Sequence, residues 1–195
     1  MGADPNPFAV PPQPPDPAGM PAWLEERLFD RRIVMLHGQL TGPVASRAAA
    51  ALLTLDTVGG EPVQLHIAAP DGELAAAFAV VDAIDAMQAP VHAVVTSQVG
   101  GAAVAVLAAA QRRVAYRHAR IRLAEPRAAA LAGTVDEVAA AAGRYLREVE
   151  ELAVRLAEVT GQPRSRVEDD LSTGRVLTAD EAREYGLIDE IVGRR

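Results

Sequence analysis

Short apolar runs and longer amphipathic stretches alternate along this chain. The short runs are β-branched or alternate between apolar and polar positions, which is typical of strands. They lie at residues 32–36, 63–67, 113–116, 120–123 and 187–192, with a further buried run that begins at 91. The longer stretches repeat apolar residues every three or four positions, and two of them begin near Thr41 and Leu74. This alternation predicts an α/β fold with a parallel sheet and crossover helices.

The stretch from 91 to 111 contains the most informative turn. A strand-like run breaks at Gly100 and Gly101 and continues in Ala, Val and Leu residues, which predicts a strand, a tight turn and a buried helix. In α/β folds such a turn often presents a nucleophile beside free backbone N–H groups. Here the turn consists of Gly100, Gly101 and Ala102, so it carries no reactive side chain.

A long helix is predicted from Thr134 to about Gly161. Thr134 and Glu137 form a capping box at its start, and Thr178 and Glu181 form a second box before a shorter helix. The long helix carries an apolar stripe that includes Tyr145, Val149, Leu152 and Leu156. Such a stripe packs against another helix, and about 25 helical residues exceed what a domain of this size needs. We therefore expect a second subunit to contact the stripe.

The chain divides into an arm and one domain. Residues 1–21 hold most of the 14 prolines and predict a flexible Pro-rich arm, followed by a single domain over 22–195. The N-terminus lacks the pattern of a signal peptide, and no segment is apolar over the length of a membrane span. With no cysteine in the sequence, a cytoplasmic protein is expected.

Composition excludes several kinds of site. The net charge of −7 argues against nucleic-acid and anionic-membrane surfaces. The absence of cysteine excludes thiolate metal ligands and a cysteine nucleophile, and all nineteen basic residues are arginine, which excludes lysine chemistry. No metal site and no cofactor are predicted.

Several motifs, taken in chain order, coincide with one family. They are Gln39 after the first strand, Pro70 and Gly72 after the second, Gln98 before the turn, Arg120, Pro126, and residues 160–162, 177–182 and 185–189. On these residues the chain resembles the proteolytic subunit of the Clp protease from about 24 to 195. The resemblance implies a crotonase-like spiral of βα units with a long protruding handle helix, which in the family joins two stacked rings.

The family's catalytic triad has no counterpart in the aligned residues. Its serine falls on Gly101, its histidine on Ala124 and its aspartate on Gly174. In such a triad the hydroxyl attacks, the imidazole transfers the proton and the carboxylate orients the imidazole. The resemblance therefore implies a catalytically inactive subunit.

The family's oxyanion loop is altered as well. Its remnant here is Pro70, Asp71 and Gly72, together with Ala102 of the turn, and Asp71 replaces the first glycine of the family's loop. A carboxylate near a developing oxyanion would repel it. The alternative is that Asp71 points into solvent.

Other polar residues do not form an evident relocated triad. Ser97 is expected at a strand end, turned away from a substrate, and His118 and His66 are expected to be surface or packing residues. Asp169 and Asp170 are interpreted as a solvated acidic turn.

The resemblance also bears on partners. In the family, aromatic residues form an outer pocket that holds a loop of the ATPase, and the aligned residues are Gln64, His66 and Ala86. They offer little apolar area, so docking of a Clp ATPase is expected to be weak or absent. The expected partners are copies of this chain or an active paralogue in stacked rings.

The sequence thus favours an inactive structural or regulatory subunit of a ring assembly. Two alternatives stay open: a crotonase-like enzyme that uses a backbone oxyanion hole, and an active Clp-type serine peptidase with a displaced triad.

Overall fold

A computed structural model describes residues 20–126 and 133–193. The strands are β1 (Ile33–His37), β2 (Val63–Ala68), β3 (Val91–Val95), β4 (Gln98–Gly100), β5 (Arg112–Tyr116), β6 (Arg120–Arg122), β7 (Val176–Thr178) and β8 (Glu190–Val192). The helices of these ranges are α1 (Ala22–Asp30), α2 (Gly42–Val58), α3 (Leu74–Ala86), α4 (Ala103–Ala109), α5 (Val135–Thr160), α6 (Arg164–Thr173) and α7 (Ala179–Tyr185). The predicted α/β class is confirmed. The predicted arm falls almost entirely on residues 1–19, outside the described ranges.

Two sheets form the framework. The larger has the order β1-β2-β3-β5-β8 and every pair in it is parallel. The smaller has the order β4-β6-β7, with β4 parallel to β6 and β7 antiparallel to β6. Parallel neighbours need crossover connections, and helices α2 and α3 supply those between the first three strands.

The stretch from 91 to 100 is two strands rather than one. After β3, the backbone N–H of Thr96 still donates to Ile67 of the large sheet, whereas the carbonyl of Ser97 accepts from Arg120 of the small sheet. The chain therefore changes sheets at this step. Helix α4 follows the turn, and all seven of its residues are buried, as the apolar run predicted.

The two helix starts that the capping boxes predict are confirmed. The Thr134 hydroxyl accepts from the N–H of Glu137, and the Glu137 carboxylate accepts from the N–H of Thr134, which lowers the pKa of Glu137. Thr178 and Glu181 repeat this arrangement at α7. Helix α5 ends at Thr160 and is capped by Gly161, whose φ of +69° is the left-handed conformation that glycine adopts readily.

The interpretation of residues 169–170 as a solvated turn is wrong for Asp170. Both residues belong to α6, a helix that the sequence pattern did not predict; Asp169 is exposed, whereas Asp170 is only 9% exposed. Asp170 can be buried because it accepts hydrogen bonds from Tyr185 and Arg175.

The apolar stripe of α5 is not a single surface. Leu152 and Leu156 are fully buried in the chain's own core, and Val149 and Tyr145 are half-buried. The expectation that a second subunit covers the whole stripe is therefore wrong for Leu152 and Leu156, because α3, α4 and α6 already pack against that half of α5. Within the described residues, 135–147 are mostly exposed, and Tyr145 donates a hydrogen bond to the carbonyl of Pro126. Among the described helices, none is long and apolar enough to cross a membrane.

Candidate functional site

The candidate site lies where the loop after β2 meets the turn between β4 and α4. One side of the loop is held by Leu40, whose N–H donates to the carbonyl of Asp71 at 3.0 Å and whose carbonyl accepts from Glu73 at 2.9 Å. Gly72 faces Leu40 directly, and a Cβ on it would lie 2.4 Å from the Leu40 Cβ. Only glycine fits at position 72 without a shift of the loop.

The other side of the loop is held by the turn itself. The N–H of Gly100 donates to the carbonyl of Ala69 at 3.0 Å. A Cβ on Gly100 would lie 2.6 Å from the carbonyl oxygen of Pro70. The loop is thus fixed between Leu40 and the start of the turn.

The tip of the turn faces the Asp71 carboxylate. Gly101 has a φ of +53°, and a Cβ on it would lie 2.7 Å from Oδ1 of Asp71. That oxygen also accepts from the N–H of Gly72 at 2.9 Å, and the Asp71 side chain is only 13% exposed. The alternative that Asp71 points into solvent is therefore wrong: the carboxylate points at the turn. Ala102 follows at the tip and is buried.

Arg122 is a site residue that the sequence analysis missed. It lies on β6 opposite Gly100, its Nη2 is 4.0 Å from Oδ2 of Asp71, and the same nitrogen donates to the carbonyl of Pro70 at 3.5 Å. Its Nε is buried and has no hydrogen-bond partner in the described part of the chain. The Asp71 carboxylate is therefore flanked by Gly101 and by the Arg122 guanidinium.

The three positions that the resemblance assigns to the triad converge at one end of the small sheet. Gly101 and Ala124 follow the parallel strands β4 and β6, so both lie at the carboxyl end of that pair. The N–H of Leu123 donates to the carbonyl of Arg175 at 2.8 Å, which brings Gly174 to the same end. Gly174 has a φ of +72°, with open space where a Cβ would stand. None of these three residues has a group that can attack a substrate or transfer a proton.

The alternative polar residues lie elsewhere. Ser97 precedes β4 and His118 precedes β6, so both lie at the opposite end of the small sheet from Gly101 and Ala124. Both are exposed, and no hydrogen bond joins them within residues 20–126 and 133–193. His66 lies on the large sheet and contacts Gln64.

None of the residues aligned with the family's docking pocket is Phe, Tyr or Trp, and none is deeply buried. Gln64 and His66 point from the same face of β2, and the Gln64 Oε1 is 3.2 Å from the His66 Nε2. Partial burial lowers the pKa of His66, and the nearby His37 adds to this effect. Ala86 is exposed at the end of α3.

A polar cluster beside Gly174 holds α6, α7 and β7 together. The hydroxyl of Tyr185 donates to Oδ2 of Asp170 at 2.9 Å, and Nη1 of Arg175 donates to Oδ1 at 3.1 Å. The guanidinium carbons of Arg166 and Arg175 lie 5.3 and 5.7 Å from the centre of the Tyr185 ring, within cation–π range. Burial raises the pKa of Tyr185 well above its ordinary value, and the contact with the Asp170 carboxylate raises it further. The described residues contain no group of three or more metal-ligating side chains.

Comparison with known proteins gives a consistent result. The Clp protease family model matches residues 22–195. The chain is 30% identical to ATP-dependent Clp protease proteolytic subunit 2 of Streptomyces coelicolor over 172 residues, which are 87% of this chain and 79% of that protein. It is 29% identical to ATP-dependent Clp protease proteolytic subunit 4 of Streptomyces avermitilis, over 87% of this chain and 76% of that protein.

Proposed function

Because the chain belongs to the Clp protease family, we propose that it is a catalytically inactive subunit of a Clp-type ring assembly, with a structural or regulatory role. The observation that carries the proposal is Gly101, which stands at the tip of the strand–turn–helix where the family has its serine. Ala124 and Gly174 stand at the aligned positions of the base and the acid. Loss of nucleophile and base together leaves only binding and backbone hydrogen bonds to act on a peptide.

The exposed half of α5 supports the proposal that this chain contacts other subunits. Val135 is 85% and Leu146 is 66% exposed, and most of the residues between them are exposed within the described part of the chain. Tyr145 is the half-buried exception at the end of this segment, where its hydroxyl donates to the carbonyl of Pro126. In the family that this chain resembles, the helix at this position is the handle that joins two rings. We infer that residues 135–147 contact a second subunit, either another copy of this chain or an active paralogue.

Direct docking to a Clp ATPase is proposed to be weak or absent. Apolar anchoring in a pocket depends on the area buried, at roughly 25 cal/mol per Å². Exposed Gln64 and Ala86 and the half-buried imidazole of His66 supply little such area. An ATPase would therefore reach the assembly mainly through other subunits. The cytoplasmic location expected from the sequence stays a prediction.

The proposed loss of activity is tested by putting back the nucleophile. The variant Gly101→Ser should hydrolyse no peptide, because Ala124 supplies no base to activate the hydroxyl. The matched control is an active Clp proteolytic subunit assayed with the same fluorogenic peptides. Appreciable turnover by the single variant would show that a base exists elsewhere and would favour a displaced triad.

The proposed assembly is tested by the mass of the complex purified from its native host. A multiple of the chain mass, or a fixed ratio of this chain to a second Clp proteolytic subunit, is the expected result. A monomer at micromolar concentration, without any Clp subunit bound, would contradict the ring proposal.

A further inference from the structure

We propose that the Asp71 carboxylate is a built-in plug of the turn, so that position 101 cannot regain a working nucleophile while Asp71 is present. This inference rests on the proposed function and deepens it. It assigns to one loop residue a second block on activity, separate from the loss of the three triad groups.

The first part of the block is steric. A Cβ at position 101 would stand 2.7 Å from Oδ1 of Asp71, closer than such atoms approach in folded proteins. That oxygen is held in place, because it accepts the N–H of Gly72 at 2.9 Å while Arg122 faces the other carboxylate oxygen. A side chain at 101 must therefore displace a carboxylate that already has favourable contacts.

The backbone of the loop is fixed by hydrogen bonds on both sides of Asp71. Leu40 holds the loop by hydrogen bonds on both sides of Gly72, and the N–H of Gly100 binds the carbonyl of Ala69. Movement of the loop backbone would break these bonds, so the carboxylate can leave the turn only by rotation of the Asp71 side chain, which gives up its contacts with the N–H of Gly72 and with Arg122. Interiors packed this closely transmit strain rather than absorb it.

The second part of the block is electrostatic. A hydroxyl or thiol at position 101 would sit beside a carboxylate, and a negative neighbour raises the pKa of a nucleophile. The same charge opposes an oxyanion that forms at the turn during acyl transfer. Restoring serine, histidine and aspartate at positions 101, 124 and 174 is thus insufficient, and a fourth change, at position 71, is required.

A double-mutant cycle tests the steric part. The variants are Gly101→Ala, Asp71→Gly and the double variant, and the melting temperature is measured for each. Gly174→Ala is the matched control, since its φ is also positive but a Cβ there meets open space. Alanine at either glycine carries a backbone cost from positive φ, which cancels within each cycle.

The plug predicts that Gly101→Ala lowers the melting temperature by at least about 4 °C more in the parent than in the Asp71→Gly background. Gly174→Ala should lower the melting temperature by the same amount in the parent and in the Asp71→Gly background. If Gly101→Ala fails to fold in the parent and folds with Asp71→Gly, the plug is supported. Equal costs in the two backgrounds, or failure to fold in both, would overturn it.

A thiol placed in the turn tests the electrostatic part. The natural sequence has no cysteine, so Gly101→Cys introduces a single thiol whose alkylation by iodoacetamide can be followed by mass under native conditions. The thiolate is the reactive form, so its rate reports both access and pKa. With Asp71→Gly added, alkylation near pH 7.5 should be faster by about tenfold or more. Equal rates in the folded variants would overturn the plug.

This pair of tests separates the plug from the proposed inactivity. Neither readout requires catalysis, so the plug can fail while the chain remains inactive. Conversely, peptide hydrolysis by the unaltered chain would refute the inactivity whatever the cycle shows.

Discussion

The hydroxyl of Tyr185 donates a hydrogen bond of 2.9 Å to the buried carboxylate of Asp170 and so links α7 to α6. Arg175, which precedes β7, binds the same carboxylate from the other side. The position aligned with the family's catalytic acid, Gly174, lies directly before Arg175. A polar cluster thus supports the segment that contains Gly174.

Removing the Tyr185 hydroxyl should destabilise the fold without altering the core. We expect Tyr185→Phe to lower the free energy of unfolding by about 1–3 kcal/mol, because the Asp170 carboxylate loses a buried donor. Urea unfolding followed by circular dichroism measures this. Tyr116→Phe is the control, since that side chain is 42% exposed, and it should change stability by less than about 0.5 kcal/mol. Equal effects of the two variants would show that the hydrogen bond contributes nothing.

The raised pKa of Tyr185 predicts a loss of stability at alkaline pH. Between the ordinary pKa of tyrosine, about 10, and the higher folded value, the folded chain holds a proton that the unfolded chain has lost. The stability that Tyr185 contributes is therefore complete below pH 10 and declines above it. Melting temperatures between pH 8 and 11 should fall more steeply for the parent than for Tyr185→Phe. Parallel curves would contradict the assignment.

Gly72 should be intolerant of any side chain. A Cβ there would meet both the Cβ and, at 2.8 Å, the carbonyl oxygen of Leu40. We expect Gly72→Ala to cost about 1–3 kcal/mol of unfolding free energy through overpacking. Gly60→Ala, at a position with open space around it, is the matched control and should be nearly neutral. A neutral Gly72→Ala would mean that the loop is not fixed against Leu40.

Two leucines of α5 should respond to glutamate in opposite ways. Leu152 lies in the chain's own core, so Leu152→Glu buries an unpaired charge and should cost at least about 4 kcal/mol, which prevents stable folding. Leu146 is exposed, so Leu146→Glu should leave the circular dichroism spectrum unchanged while it dissociates the proposed assembly. Sedimentation of both variants beside the parent makes the comparison. An unchanged assembly mass for Leu146→Glu would show that this part of α5 is not the interface.

Local signals in the sequence predicted the elements that depend on local interactions. The capping boxes at Thr134 and Thr178 fix helix starts by contacts within four residues, and both are present in the structure. Helix α6 escaped prediction because its N-cap, Pro163, makes no side-chain cap and its surface is mostly charged. The helix is anchored by Val167 and Leu171, which are buried against the rest of the fold.

The site itself was only partly predictable. The sequence showed that the turn lacks a reactive side chain, because this follows from the identity of Gly101 alone. The orientation of Asp71 and the role of Arg122 depend on how Leu40, the β2 loop and β6 meet in space. These residues are 31 or more positions apart in sequence, and the spacing of apolar residues along the chain carries no information about contacts over such distances. The division of the apolar stripe of α5 into a buried half and a more exposed half depends on tertiary packing in the same way.

The proposed function requires that this chain carry no activated serine. The most direct measurement is the intact mass of the purified chain after incubation with a fluorophosphonate probe, with an active Clp proteolytic subunit treated in parallel. Labelling requires a serine with an adjacent base, and Ser97 has no base at hydrogen-bond distance in the described ranges. The expected result is an unmodified mass for this chain and a stoichiometric adduct on the active subunit. A stoichiometric adduct on any serine of this chain would contradict the assignment as an inactive subunit.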